Sequence, residues 1–244
     1  MDIKPQRFAP HRLGLLVVLL AATGYDAIAI AQPDESAAEI GLPQTSLALK
    51  AASFAASNAP DFLLNHSIRT YVFGAIVMNA KHLRFDPETA YVAALLHDLG
   101  LEEQFATPGR SFEVDGANRA EAFVKEYGGT DQQARTVWNA IAMHDMGRSY
   151  QSHASPEAML VGFGAGSDVD GPDPAVISKA SVDAVLRRYP RAGFKVRFTE
   201  LATDHCRRKP ASQSGWLDIL CREVVPHTDR GSVREEISSA PFTE

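Results

Sequence analysis

The sequence has no CxxC pair, no internal repeat, no Pro/Gly/Ser-rich linker between comparable halves, and no surplus of basic residues. It also lacks a run of about 20 apolar residues, the length a membrane-spanning helix needs. Each absence removes a class. Thiolate zinc sites need close-spaced cysteines, so Cys206 and Cys221 do not read as metal ligands. They read as helix-packing residues, and in an exported chain they are also open to a disulfide, which spacing leaves undecided. The formal charge of -6 argues against a broad nucleic-acid footprint. It leaves room for a small anionic substrate, because one divalent cation can dominate a pocket. With no linker, 244 residues make one sizeable core with appendages. Apolar (45%) and charged (22%) fractions match an ordinary globular domain, so neither disorder nor a multi-span membrane protein is expected.

What is present begins with a processing signal. Lys4, Arg7 and Arg12 precede the apolar run Leu13 to Ala22, and Ala29-Ile30-Ala31 resembles a small-residue cleavage site before Gln32. That order, basic region, short apolar core and A-x-A exit, is that of a secretory signal peptide. Asp2, Tyr25 and Asp26 fit it poorly, and the alternative is a cytoplasmic chain with an apolar extension. The expected organisation is a signal peptide over 1–31, a helical domain over 32–226 with its core motifs at 44–171, and a polar, flexible tail over 227–244.

The rest reads as helices. Residues 44–58 form one, stopped by Asn58-Ala59-Pro60. Leu63 to Lys81 form the next, with Ile68, Val72 and Ile76 on one buried stripe. Asp86-Pro87-Glu88 is a helix start: Asp caps, Pro suits the first turn, Glu favours the positive end. That helix runs through Tyr91, Leu95 and Leu96 until Gly100. Ala117 to Tyr127 mark another, ended by Gly128-Gly129. Thr130 and Gln133 form a capping box for a helix that reaches His144. Ser155-Pro156-Glu157 opens a shorter helix through Phe163, and helices near 175–189, 193–207 and 214–224 follow. Few stretches alternate as strands do, so the fold class is all-α, a compact multi-helix bundle with a C-terminal helical extension.

Several side chains on this scaffold suit chemistry. His66 lies early in its helix, the adjacent pair His97-Asp98 ends another, His144 closes a third, and Asp168 follows the glycines at 162, 164 and 166. Zn²⁺, Fe²⁺ and Mn²⁺ accept such a mixture of imidazole and carboxylate. A helix C-terminus, with its unpaired carbonyls, favours a cation near His97-Asp98. Alone, His66 reads as a capping or core histidine, Asp168 as a turn residue, and an HD dipeptide as coincidence. The ordered set on a helical background carries the inference.

Asn65-His66-Ser67-Ile68-Arg69, followed by Ala93-Ala94-Leu95-Leu96-His97-Asp98-Leu99-Gly100, resembles the HD-domain metalloenzymes, and the context is similar to their cyanamide-hydratase-like branch. That branch carries an NHS-type segment, an LLHD-[LI]-G segment and a G-x-DV segment, here Gly166-Ser167-Asp168-Val169. Phe112-Glu113-Val114-Asp115-Gly116-Ala117 also looks like it. The resemblance covers residues 44–171. It implies a compact helical domain with one divalent ion, zinc or iron foremost and manganese as an alternative, held by His66, His97, Asp98 and Asp168. Dinuclear relatives use extra histidines, a role open here to His144 with His153.

The expected activity is metal-assisted hydrolysis or hydration of a small carbon–nitrogen substrate. Asp98 is expected to combine ligation with proton handling, and His144 to act as acid, base or substrate-orienting group. Glu113 and Asp115, placed just before a helix, read as caps or pocket-lining groups. Arg69, on the same side as His66, is open to an anionic substrate or a carboxylate. Asn65 reads as a cap or as a ligand-orienting group, the cap foremost. Two alternatives stand beside this: a phosphohydrolase acting on a nucleotide or phosphomonoester, with Arg69 and Arg110 as its cations, and a non-catalytic helical binding protein stabilised by its ion. A small molecule is the expected partner, with no nucleic acid and no stable membrane span. The sequence does not speak to oligomeric state.

Overall fold

A computed structural model describes residues 40–147, 154–209, 215–225 and 237–239. The expected signal peptide, His153 and nearly all of the expected tail lie outside the described residues. Those described contain helices, short 3-10 turns and no strand, as the sequence pattern predicts. None of the helices is long and apolar enough to cross a membrane.

Local chemistry sets most helix starts. Helix α1 (Ser46–Asn58) is capped by the Thr45 hydroxyl, which accepts from the Ala48 amide. Helix α2 (Asp61–Ala80) follows Pro60. Helix α3 (Pro87–Leu96) begins where the Asp86 carboxylate accepts from Thr89 N–H, with proline at the first position. After it come 3-10 turns at Leu99–Leu101 and Glu103–Phe105. Helix α5 (Asp131–Ala142) carries the expected capping box, Thr130 with Gln133.

Beside the site, one helix start and one helix end differ from the sequence reading. Helix α4 (Phe112–Glu126) begins at Phe112 rather than near Ala117, with Ser111 at its N-cap position. Glu113 and Asp115 thus lie within its first turn, where a carboxylate meets the positive helix end, and not before it. Helix α6 (Pro156–Val169) continues through Gly162, Gly164 and Gly166, so Asp168 sits in its last turn and not in a glycine-made loop. Gly164 is there for contact. A Cβ on Gly164 would fall 1.8 Å from the Thr70 carbonyl oxygen, and one on Gly74 would fall 2.3 Å from that of Leu160. Two small residues therefore let α2 and α6 press backbone to backbone, which brings His66 and Asp168 together.

Around this pair, Phe73, Met78, Leu95, Leu96, Ile141 and Leu160 form a buried core. Truncating such a leucine to alanine costs roughly 2–5 kcal/mol. Helices α7 (Lys179–Arg188), α8 (Phe194–Arg208) and α9 (Gly215–Val224) complete the series. Phe62, Leu101, Phe112, Phe194, Phe198 and Leu217 make a second apolar cluster, in which Cys206 of α8 and Cys221 of α9 are joined by a disulfide. This decides the question that cysteine spacing leaves open.

Candidate metal centre

Three helix ends and one helix face converge between the two apolar clusters. His66 projects from the second turn of α2, His97 caps α3, Asp98 follows it, and His144 stands just past α5. The hydrogen bonds of each ring fix what its other nitrogen does. His97 Nδ1 lies 2.8 Å from the Ala94 carbonyl, so Nδ1 carries the proton and Nε2 a lone pair. Burial pulls the His97 pKa down to about 3, which keeps the ring neutral. That lone pair faces Asp98 Oδ2 at 3.3 Å, and both atoms are buried without a hydrogen-bond partner among the described residues. His66 Nε2 reaches the same Oδ2, also at 3.3 Å.

A lone pair aimed at a carboxylate oxygen is repulsive unless positive charge lies between them. The spacing fits an ion: two ligand atoms about 2.0–2.1 Å from a tetrahedral zinc stand roughly 3.3 Å apart. His66, His97 and Asp98 can each offer one ligand atom within 4.8 Å of the others. The residues thus fit a divalent cation. Burial opposes charge on Asp98, but His97 and His66 outweigh it and hold the carboxyl well below the usual range. Burial also works against His66, yet the Asp168 and Asp98 carboxylates raise its pKa above the ordinary value.

Asp168 is placed differently from what the resemblance implies. Its Oδ2 lies 2.7 Å from His66 Nδ1, the nitrogen facing away from the three-atom cluster. Arg69 grips both oxygens, Nε to Oδ1 at 2.8 Å and Nη2 to Oδ2 at 2.7 Å, and Arg191 Nη1 reaches Oδ1 at 3.0 Å. Two guanidinium groups and an imidazole thus use up the carboxylate. Burial opposes its charge, but His66 and Arg69 hold its pKa well below the usual range. In this arrangement Asp168 fixes the ring orientation of His66, as outer carboxylates do for metal-bound histidines.

The same contacts remove Arg69 from the substrate. It is 0% exposed, and its remaining donors go to the carbonyls of Tyr189 and Pro190. Asn65, which reads as a cap in the sequence, donates instead to Pro190, because α2 already begins at Asp61. Asp115 accepts from Lys209 Nζ at 2.6 Å and from the Thr107 amide at 2.8 Å. Through Oδ2 it ties α4 to the end of α8 and to the preceding loop.

His144 stands on the other side of Asp98, its Nε2 3.8 Å from Oδ1. Its Nδ1 lies 2.8 Å from the Ile141 carbonyl, so Nε2 again carries a lone pair. The Phe112 ring contacts it edge-on at 5.7 Å, and Glu113 follows Phe112 as a fully buried carboxyl. Arg191, Lys209 and Asp145 are the partners of candidate site residues that sequence reasoning misses. The first two pair only across long chain separations, with no motif around them; Asp145 was visible as the neighbour of His144.

With this geometry in place, similarity to known proteins identifies the class. The HD domain family matches residues 63–210, well over half of the sequence, and the chain belongs to that family. It is similar to two yeast proteins, cyanamide hydratase DDI2 and cyanamide hydratase DDI3 of Saccharomyces cerevisiae. Each is 23% identical over 209 residues, covering 83% of this chain and 92% of the relative. The protein is a metal-dependent enzyme of the HD superfamily, a hydrolase or hydratase.

Proposed function

We propose that the protein hydrates or hydrolyses a small carbon–nitrogen compound at one divalent ion, in the manner that the names of its yeast relatives describe. The observation that carries the reading is the facing pair of unsatisfied atoms, His97 Nε2 and Asp98 Oδ2. His66, His97 and Asp98 would hold the ion, zinc or iron foremost and manganese as the alternative. When bound, it supplies Lewis acidity to water and to the developing oxyanion.

The residues divide the remaining work. Asp98 turns Oδ2 toward the two ligand histidines and Oδ1 toward His144, so one carboxylate serves ion and proton transfer together. His144, with its proton fixed on Nδ1, presents Nε2 as the acceptor for a proton from water. Asp168, Arg69 and Arg191 keep His66 in register. Phe112, Phe194 and Phe198 exclude bulk water, which strengthens each electrostatic interaction inside.

A carbon–nitrogen substrate is favoured over a phosphate ester because the cations that a phosphate would need are taken or distant. Arg69 is buried on Asp168, and Arg110 is exposed in the loop before α4. Metal-reconstituted protein assayed for urea or ammonia release against phosphate release separates the two. Phosphate release alone overturns the proposal. Export of the chain belongs to the same proposal: the basic-apolar-small order of residues 1–31 supports it, as does the disulfide of Cys206 and Cys221, a bond characteristic of oxidising compartments. Cell fractionation with and without residues 1–31 tests it.

A further inference from the structure

Hydration of a carbon–nitrogen multiple bond needs a proton for nitrogen as well as a base for water, and the cluster itself has none to give. His97 is neutral with its one proton on the Ala94 carbonyl, and His144 has its own on Ile141. Arg69 and Arg191 are held by Asp168, and the proton on His66 Nδ1 lies against the same carboxylate. A different pair of groups stands on the His144 side.

Glu113 is 1% exposed and lies in the first turn of α4. Gly116, one turn further along the same face, packs against the His97 carbonyl, where an added Cβ would fall 3.2 Å from the oxygen. Phe112 approaches the segment after Asp98 just as closely: a Cβ on Gly100 would fall 1.9 Å from its carbonyl oxygen. This face of α4 is therefore turned toward the metal-binding turn. Asp145 follows His144, and both of its oxygens are buried with no N–H group to satisfy them among the described residues. The Glu113 and Asp145 carboxyls lie within hydrogen-bonding reach of each other, and the first residue of α9 packs against Asp145. A Cβ on Gly215 would fall 2.0 Å from Asp145 Oδ2, so a larger residue there would displace the carboxylate. Buried carboxyls in contact cannot both ionise, and they share one proton. Burial first, and then the Asp145 carboxylate, push the Glu113 pKa up to about 8, so the proton is still held at neutral pH.

We propose that Glu113 and Asp145 form a proton-sharing carboxyl pair that serves as the general acid of the reaction, delivering a proton to the substrate nitrogen. The inference rests on the carbon–nitrogen reading above. In the step, water oxygen bonds to the electrophilic carbon as one carbon–nitrogen π bond breaks. The electron pair of that bond moves to nitrogen and takes the proton of Glu113, while the water proton passes to His144 Nε2. The imidic acid formed tautomerises to the amide, its hydroxyl proton returning to the carboxyl pair. In that tautomerisation His144 gives its added proton to the nitrogen and is neutral again: both protons of one water end on nitrogen, its oxygen ends on carbon, and nothing is oxidised or reduced.

The test compares wild type with Glu113→Gln and Asp145→Asn, each loaded with metal, on cyanamide and on a nitrile with a strongly electron-withdrawing substituent. Loss of a general acid lowers kcat by roughly 10²–10⁴-fold. Glu113→Gln is expected to do this on cyanamide with KM changed by no more than about threefold, the pattern of an interaction made only in the transition state. Metal content should stay at the wild-type stoichiometry. The loss should shrink by about tenfold on the activated nitrile, whose nitrogen demands less proton donation. Asp145→Asn, which takes away the partner that keeps Glu113 protonated, should lower kcat in the same direction. Undiminished kcat in Glu113→Gln overturns the inference, as does an equal loss on both substrates, which marks a structural role. Should wild type release phosphate instead, the functional reading fails, and the pair is judged by the same comparison on phosphate esters with good and poor leaving groups.

Discussion

His97 Nε2 and Asp98 Oδ2 face each other at 3.3 Å with no proton between them. The ring has spent its hydrogen on the Ala94 carbonyl, and burial keeps it from taking a second. Adjacent residues of a regular helix would point about 100° apart. Here α3 ends at Leu96, and the chain turns into a 3-10 segment just after Asp98, so the two side chains converge. Positive charge at this point relieves their repulsion, and the account of function grows from it.

Asp168 acts on the ion through His66. Replacing it with Asn should lower metal affinity by about 10–100-fold, the size of an outer-carboxylate effect, and leave a measurable binding isotherm. Titration calorimetry with zinc on wild type and Asp168→Asn reads this directly. Complete loss of binding would make Asp168 a ligand, as the family resemblance implies.

The Glu113 carboxyl sets a pH dependence of stability with a definite sign. Its folded pKa, raised to about 8 from an ordinary 4.5, means that the folded state holds the proton that the unfolded state releases. The corresponding stability is present in full below pH 4.5 and is lost as pH rises through 8. Thermal melts of ion-free protein between pH 5 and pH 8.5 should show this decline in wild type, and a flatter profile in Glu113→Gln. The same slope in both proteins would contradict it.

The Cys206–Cys221 disulfide closes a loop with a sequence separation of 15 and holds the ten-residue α9 against α8. Cross-linking a loop of that size stabilises by about 3 kcal/mol in the chain-entropy account. The double substitution Cys206→Ser with Cys221→Ser should lower the denaturant midpoint accordingly, and reductant should shift wild type but not the variant. Equal midpoints for oxidised and reduced wild type would show that α9 is held by packing alone, through Leu217 and the stack of Trp216 on Phe198.

Much of the fold was legible because its signals are local. Asp86-Pro87-Glu88 and the Thr130–Gln133 box begin helices where the sequence places them. His66, His97 and Asp98 were readable as a set, and the structure brings them together. What was not legible depends on contacts between distant segments. The glycines of α6 suggest a turn by propensity, yet the segment is helical and Gly164 packs against Thr70. Arg69 looks available from sequence, but Asp168 and two carbonyls past α7 consume it. Asp115 has its partner 94 residues away at Lys209. Propensity reports what a segment prefers alone; these three positions are decided by what lies across from them.

The most direct test is the divalent-ion content of purified, metal-reconstituted wild type and His97→Ala, measured by elemental analysis after dialysis. The account predicts one ion per chain in wild type and none retained in His97→Ala, with turnover lost together with the ion. An unchanged ion content in His97→Ala, or a wild type that retains no divalent ion, would contradict it.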